Sequence, residues 1–258
     1  MFRYAAITQK GTEKGKNEDR IMVAGNFLSG GELQGETEGP LLIILCDGIG
    51  GEAFGDEAAE IVCLNFLPLC RKPLSIFDIS SSVIDSNNAV LMMQKNDQLR
   101  KHMATTLAGV HISRDKYIAF NAGDSRVYSY RDSYMTQLSH DHTEAQYLID
   151  VGKICRIEDT PKSSRNTVTR YIGTSEKRSA AKINRGPLDS KSFLLCSDGI
   201  YKKVPMDITE RVLSREIPVM DKCRVLINEA IEKGSTDDLS VAVVEQRSPG
   251  IPLTQDLQ

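Results

Sequence analysis

The chain has 258 residues, of which 40% are hydrophobic and 26% are charged, and its formal net charge at pH 7 is −3. This composition is typical of a globular protein that buries a large core, and it excludes collagenous and low-complexity chains. The small negative charge gives no reason to expect a polyanion as partner, so nucleic acid is not an expected ligand.

Membrane insertion and secretion are not expected either. No stretch approaches the roughly 20 apolar residues that cross a bilayer, and the start, MFRYAAITQKG, lacks the apolar region of a secretory signal. The six cysteines form no C-x-x-C pair and are interpreted as reduced thiols in the core. We therefore predict a cytoplasmic protein with no membrane partner.

Short β-rich runs recur along the chain. The turns SRDKY at 113–117 and RDSY at 131–134 join successive runs. Connections this short indicate antiparallel pairing, because a parallel pair needs a crossover of about a dozen residues. The predicted strands are 3–8, 20–24, 41–46, 106–112, 117–122, 126–130, 193–196 and 239–245.

Helical periodicity falls in separate blocks, which indicates a layered α+β fold rather than alternating α/β. Gly234 is predicted to cap the last helix. Two polar segments rich in turn formers, 25–40 and 156–167, are predicted to be irregular. The predicted helices are 56–67, 76–100, 143–151, 206–214 and 220–233.

Acidic residues lie close to the ends of several predicted strands. Asp47 and Asp198 each follow an apolar run and each open a D-G-I sequence. If these strand ends meet at one rim, the carboxylates repel one another or raise one another's pKa unless cations bind among them. The acids that share this kind of position are Asp47, Asp198, Asp124, Asp237, Glu18 and Asp19.

Clustered carboxylates without paired histidines or cysteines favour Mg²⁺ or Mn²⁺ over zinc. Two such ions sharing a carboxylate can hold a bridging water, lower its pKa and aim it at phosphorus, so the implied chemistry is phosphoester hydrolysis. The alternative interpretation is that these acids are solvated loop starts. The near-identical contexts of Asp47 and Asp198 favour a shared site.

Other nucleotide motifs fit poorly. GIGGEA at 48–53 matches G-x-G-x-x-A, but Asp47 would repel a pyrophosphate there, and 67–72 lacks the acid that the dinucleotide fingerprint requires. GTEKGKN at 11–17 has three residues between its glycines instead of four, so it is not a Walker A loop.

Eight motifs occur in order between about residues 3 and 245: NED (17–19), CDGIGG (46–51), ATTLAGV (104–110), NAGDSR (121–126), LSHDHT (138–143), VTRYIGT (168–174), CSDGI (196–200) and STDDLSV (235–241). As an ordered set they resemble the metal-dependent type 2C serine/threonine protein phosphatases, in particular the compact bacterial branch. The resemblance implies an αββα sandwich of two antiparallel sheets flanked by helices. It also implies one phosphatase domain over 1–247, with a flap at about 150–185 and a flexible tail at 248–258.

The resemblance further implies two bound Mn²⁺ or Mg²⁺ ions. By similarity, Asp47 bridges them and the carbonyl of Gly48 coordinates one. The other implied positions are Asp198 and Asp237 at the second ion, Glu18 and Asp19 acting partly through bound water, and Asp124 at a third, weaker site.

Three positions depart from the family pattern. Lys14 stands where the family commonly has a phosphate-binding arginine, so it is a candidate phosphate-binding residue without the bidentate fork. Lys202 stands where an acid usually serves the third ion, so a normal third site is not expected. Ile49 replaces a possible proton-donating histidine of the eukaryotic branch, which leaves the general acid unassigned.

The leading hypothesis is therefore a monomeric, metal-dependent phosphatase that removes phosphate from serine or threonine of proteins phosphorylated by a Ser/Thr kinase. The alternative is a regulatory module of the same fold, with weak or no catalysis, that binds phosphoproteins or a signalling partner. The substitutions at Lys14 and Lys202 motivate this alternative, and the retained acids argue against it.

Overall fold

The computed structural model describes residues 1–49, 54–174 and 176–246, without the side chains of Glu176 and Lys177. The predicted tail at 248–258 lies outside these residues. The described strands are β1 (Phe2–Gln9), β2 (Arg20–Val23), β3 (Asn26–Leu28), β4 (Gly31–Thr37), β5 (Leu41–Cys46), β6 (Leu107–Ile112), β7 (Lys116–Ala122), β8 (Arg126–Arg131), β9 (Tyr134–Gln137), β10 (Lys182–Pro187), β11 (Ser192–Cys196) and β12 (Leu239–Gln246).

Helices occupy three blocks between the strands. Short 3₁₀ helices lie at Leu67–Leu69, Gln98–Arg100 and Ile157–Asp159. The described α-helices are α1 (Gly55–Phe66), α2 (Ile76–Asn96), α3 (Glu144–Asp150), α4 (Lys162–Asn166), α5 (Glu176–Ser179), α6 (Asp198–Tyr201), α7 (Met206–Ser214) and α8 (Val219–Glu232).

The strands form two six-stranded antiparallel sheets. The first has the order β4-β1-β12-β11-β8-β9, and the second has the order β10-β7-β6-β5-β2-β3. The predicted antiparallel hairpins are present, since β6 pairs with β7 and β8 pairs with β9.

The apolar run of β5 is continuous because both of its faces are buried. Successive strand side chains point to opposite faces. Leu41, Ile43 and Leu45 therefore enter the core between the sheets. Leu42 and Ile44 pack outward in the core that includes α1 and α2.

A third core lies on the outer face of the first sheet. There Ala5 and Ile7 of β1 pack with α7 and α8, for example with Leu226. The molecule thus has a helix layer, two sheets and a second helix layer, which confirms the predicted αββα sandwich.

Residues 25–40 are not irregular, contrary to the sequence-based prediction. They contain strands β3 and β4, which belong to different sheets. Strand β3 pairs with β2, and β4 pairs along β1 in the register Phe2↔Thr37. The composition misleads because β4 is an edge strand whose side chains alternate between exposed and half-buried. A strand with one face in water can be polar at every second residue.

The segment 156–167 also contains regular structure, namely the 3₁₀ turn at Ile157–Asp159 and helix α4. Within the predicted flap, Lys182–Pro187 forms the edge strand β10 and pairs with β7. Cys155 is exposed, which corrects the prediction that all six cysteines belong to the core, whereas the other five are buried.

None of the helices in the described ranges is both long enough and apolar enough to span a bilayer.

Candidate metal centre

Four of the predicted acids line one cavity of about 330 Å³ at the rim of the two sheets. Its lining includes Asp47, Asp124, Asp198 and Asp237, together with Lys14, Gly48, Asn166, Lys202 and Lys203. A larger cavity of about 690 Å³ lies at the other end of β1 and β12, near Arg3 and Glu245, and lacks this group of acids. The structure therefore brings distant acidic motifs together.

Strand pairing explains this convergence. Cys46 at the end of β5 pairs with Arg20 at the start of β2, which places Asp47 beside the loop that carries Glu18 and Asp19. In the first sheet, Cys196 pairs with Val241. That register places the end of β11, which leads to Asp198, beside the start of β12, which follows Asp237.

The backbone of Asp47 is fixed by two threonines. Its N–H donates to Thr106 Oγ1 at 3.0 Å. Its carbonyl accepts from Thr105 Oγ1 at 2.9 Å and from the Thr106 N–H at 2.8 Å. These bonds orient the peptide that carries the central carboxylate.

Gly48 is required by close packing. A Cβ at this position would lie 2.6 Å from the carbonyl carbon of Gly55 and 2.9 Å from Cβ of Glu18. Only a residue without a side chain lets the chain pass here. This explains why the strand that delivers Asp47 is followed at once by glycine.

Crowding of the acids raises several pKa values. Burial raises the pKa of Asp47 well above its usual range, and the charges of Asp19 and Asp198 raise it further. Burial also raises the pKa of Asp124 to about 6, with the charge of Asp198 adding to the effect. The pKa of Glu18 is raised mainly by burial. Such a group of carboxylates is stabilised by nearby cations.

Asp19 is the most isolated of these acids. Both of its carboxylate oxygens are buried without a hydrogen-bond partner among the described residues. Burial raises its pKa to about 7, and the charge of Asp238 adds to this rise. The nearby hydroxyl of Ser240 opposes this rise in pKa, but its own hydrogen bond goes to Thr8 Oγ1 at 2.7 Å and not to Asp19.

Two lysines contact the acids. Lys14 Nζ lies 2.8 Å from Asp237 Oδ1, and Lys202 Nζ lies 2.6 Å from Asp198 Oδ2 and 3.8 Å from Asp124 Oδ2. Partial burial opposes the charged form of each lysine, but the neighbouring carboxylates raise the pKa of both. Both lysines are therefore ammonium ions at neutral pH.

A family model described as protein phosphatase 2C matches residues 30–234. The chain belongs to the protein phosphatase 2C family. This 2C phosphatase is 24% identical to the serine/threonine phosphatase stp of Listeria innocua over 93% of the chain and 94% of that protein. It is 26% identical to the serine/threonine protein phosphatase PstP of Mycobacterium tuberculosis, over 95% of the chain and 45% of that longer protein.

Solved structures agree with this assignment. The crystal structure of the M. tuberculosis phosphatase PstP/Ppp matches with a TM-score of 0.81 and 26% identity, over 96% of this chain and 99% of that one. The catalytic domain of PstP in complex with two manganese ions has the same fold, with a TM-score of 0.78 and 24% identity over 95% and 97% of the two chains. The predicted family, fold and enzyme class, a protein serine/threonine phosphatase, are confirmed.

The residues of the 2C phosphatase suit hard divalent ions. The converging acids and the carbonyl of Gly48 offer oxygen ligands, and burial raises the pKa of both Asp47 and Asp19. The carboxylate of Asp19 has no hydrogen-bond partner among the described residues. Within the described ranges, no three Asp, Glu, His or Cys side chains already form a compact ligand group for one ion. The two lysine ammonium groups contact the acids here, so the ligand roles remain predictions.

Asp238 lies beside the proposed ligands but was not among the site residues predicted from the sequence. It is buried, and its carboxylate accepts from the N–H groups of Gly11 and Glu18, both at 2.8 Å. It thus ties the loop that carries Lys14 to the start of β12. The two adjacent aspartates in STDDLSV indicated an acidic site here, but the sequence does not show which groups the second of them, Asp238, contacts.

A buried ion pair behind Asp124 was also missed. Arg126 donates to both carboxylate oxygens of Asp141 at 2.6 to 3.0 Å. Its guanidinium lies 3.7 Å from the ring centroid of Tyr201, whose hydroxyl donates to Asp124 at 3.3 Å. This network fixes the side of the pocket formed by Asp124.

Proposed function

We propose that this 2C phosphatase hydrolyses phosphoserine and phosphothreonine in proteins with two Mn²⁺ or Mg²⁺ ions bound in the acidic pocket. The observation that carries the proposal is the convergence of Asp47, Asp124, Asp198 and Asp237 on one cavity. Repulsion among four carboxylates at this density is relieved by divalent ions. When bound, such ions activate a water molecule and neutralise the charge of phosphoryl oxygens.

The proposed ligand roles are those that the family resemblance implies, and the positions of Asp47, Gly48, Asp198 and Asp237 in the pocket support them. The carboxylate of Asp47 would hold the bound ions, because burial and the neighbouring acids disfavour its charge when no cation is present. The proposed ligands of the individual ions are the carbonyl of Gly48, the carboxylates of Asp198 and Asp237, and, through water, Glu18 and Asp19.

Lys14 is the proposed phosphate-binding residue. Its ammonium lies in the pocket, 2.8 Å from Asp237, where it can donate to a phosphoryl oxygen as a point charge. No third ion is proposed beside Asp124, because the ammonium of Lys202 lies between that carboxylate and Asp198, in contact with both.

The expected partners are phosphorylated proteins that a Ser/Thr kinase has modified. The relatives from Listeria innocua and Mycobacterium tuberculosis are serine/threonine phosphatases, which supports this class of substrate. We further propose a monomer that acts in the cytoplasm. Comparison of phosphoproteins in cells with and without the chain tests the substrate class.

The mechanism is tested by hydrolysis of p-nitrophenyl phosphate. A chelator is expected to abolish turnover and Mn²⁺ to restore it. Asp198→Asn is expected to lower kcat at least about 100-fold, since loss of a metal-ligand charge removes several kcal/mol of transition-state stabilisation. Asp207→Asn, the same change on the exposed surface of α7, is the control and should retain full activity. Turnover that persists in chelator contradicts the mechanism.

The second candidate is a regulatory module with weak or no catalysis. It is favoured by the contacts of Lys14 with Asp237 and of Lys202 with Asp198, because each ammonium occupies an oxygen of a proposed metal ligand. A titration with Mn²⁺ separates the two candidates. A module of this kind would show no metal-dependent turnover at any concentration and would still bind a phosphopeptide.

A further inference from the structure

Lys202 joins two parts of the pocket that are distant in sequence. It follows the short helix α6, and its Nζ lies 2.6 Å from Asp198 Oδ2 and 3.8 Å from Asp124 Oδ2. The same Nζ donates to Asn166 Oδ1 at 2.9 Å. Lys202 therefore donates hydrogen bonds to Asp198 and Asn166, while the 3.8 Å contact with Asp124 is an ion pair too long for a hydrogen bond.

Asn166 is the last residue of α4, which forms one wall of the pocket. On its far side this wall is held by backbone bonds. The carbonyl of Thr167 accepts from the N–H of Glu144 at 2.9 Å, and the N–H of Thr169 donates to the carbonyl of His142 at 2.7 Å. These bonds tie the wall to α3 and to the loop before it.

The pocket side of α4 has one polar attachment. Arg165, its other long polar side chain near Asn166, donates to Thr160 and to the carbonyl of Glu158 within the same segment. In the part of the chain that the structure describes, no other side-chain hydrogen bond joins residues 157–166 to α6 or to the acids. Among the described residues, the contact between Lys202 and Asn166 is therefore the one side-chain hydrogen bond that joins this wall to the acid cluster.

We propose that Lys202 is a positioning residue that fixes α4 against the acid cluster and so sets the width of the groove that receives a phosphorylated peptide. The proposal rests on the proposed function and extends it to substrate choice. A charged donor strengthens the bond to Asn166. Solvent weakens it, because the side chain of Lys202 is 31% exposed.

Hydrogen exchange of the full-length chain tests the attachment directly. Lys202→Met and Asn166→Ala are each expected to speed amide exchange in peptides covering residues 157–170 about fivefold, the effect of losing one partly exposed, charge-assisted bond. The double variant should exchange no faster than either single one, because both remove the same contact. Asn166→Asp keeps an acceptor for the ammonium and should restore slow exchange.

Lys203 provides the matched control. It is the next residue, carries the same charge and lines the same pocket. Among the described residues, the side-chain hydrogen bond to Asn166 of α4 is made by Lys202 and not by Lys203. Lys203→Met should therefore leave exchange at residues 157–170 unchanged. A general effect of lost positive charge would speed exchange in both lysine variants and would overturn the proposal.

Substrate discrimination gives a second readout, which a purely structural role would not change. For Asn166→Ala, kcat/KM for a phosphopeptide should fall about threefold more than kcat/KM for p-nitrophenyl phosphate, because the peptide needs the wall and the small ester does not. Thermal unfolding confirms that each variant is folded.

Two results would overturn the inference. One is exchange that stays slow in both Lys202→Met and Asn166→Ala. The other is fast exchange in Lys202→Met alone, which would show that Lys202 acts only on the acids. If the unchanged protein shows no turnover while the exchange pattern holds, the proposed function fails and the attachment of α4 is upheld.

Discussion

At the scale of single residues, the geometry of the pocket depends on positions where a small change in a side chain would displace the backbone. Gly48 passes so close to Gly55 that a Cβ would lie 2.6 Å from its carbonyl carbon. Asp238 holds the loop of Gly11 and Glu18 with two hydrogen bonds of 2.8 Å. Neither residue needs to touch the substrate to determine where the proposed ligands lie.

Gly48→Ala is expected to destabilise the fold by about 1–3 kcal/mol, as overpacking does, and to move the carbonyl that is a proposed metal ligand. Gly30→Ala is the matched control, because a Cβ at Gly30 meets nothing within 4 Å. Urea unfolding of both variants, with phosphatase assays in Mn²⁺, measures the difference. Equal stability of the two variants would contradict the packing argument.

At the scale of elements, strand β6 is tied to the loop after α1 by His111. Its Nε2 lies 3.1 Å from the carbonyl of Lys72, which can only accept, so this nitrogen carries the proton. Nδ1 is buried without a partner among the described residues. Burial lowers the pKa of His111 below the value near 6.5 that it has in the unfolded chain.

This shift predicts a pH effect on stability. Below about pH 6.5 the unfolded chain binds a proton at His111 that the folded protein does not, so acid favours unfolding. His111→Gln can keep the bond to Lys72 but cannot titrate. Between pH 7 and pH 5, the free energy of unfolding should therefore fall more for the unchanged protein than for His111→Gln, as measured by urea unfolding. Parallel pH profiles would exclude a neutral, buried His111.

At the scale of the whole molecule, stability comes from three apolar layers, and the middle one joins the two sheets. Phe193 of β11 and Tyr117 of β7 meet there edge to face, with ring centroids 5.4 Å apart. The rim that carries the acids is built from strands of both sheets. The distance between the sheets therefore also determines the geometry of the pocket.

Phe193→Ala is expected to lower the free energy of unfolding by about 3–5 kcal/mol, because it leaves a cavity in a packed core. Phe77→Ala removes the same side chain from a site that is 77% exposed and should change stability by less than about 0.5 kcal/mol. Calorimetry should show a lower melting temperature for the first variant only. Similar losses in both would contradict the assignment of the middle core.

Much of the fold could be predicted from the sequence, because the local spacing of apolar residues indicates strands and helices. The run at 41–46 matches β5, the pattern at 206–214 matches α7, and Gly234 adopts the positive φ of 73° expected of a helix cap. The edge strands β4 and β10 were not predicted, because an edge strand with one solvent-exposed face has a composition close to that of a loop.

The sequence by itself determined the layered α+β class, the acidic motifs at strand ends and their resemblance to one phosphatase family. Only the tertiary structure decided that Asp238 fixes the loop of Glu18, 220 residues away, and that Lys202 reaches both the acids and Asn166. The physical reason is range. Periodicity and turn chemistry act over a few residues, whereas hydrogen bonds and charges act between neighbours in space, which only the pairing of strands and packing of sheets bring together.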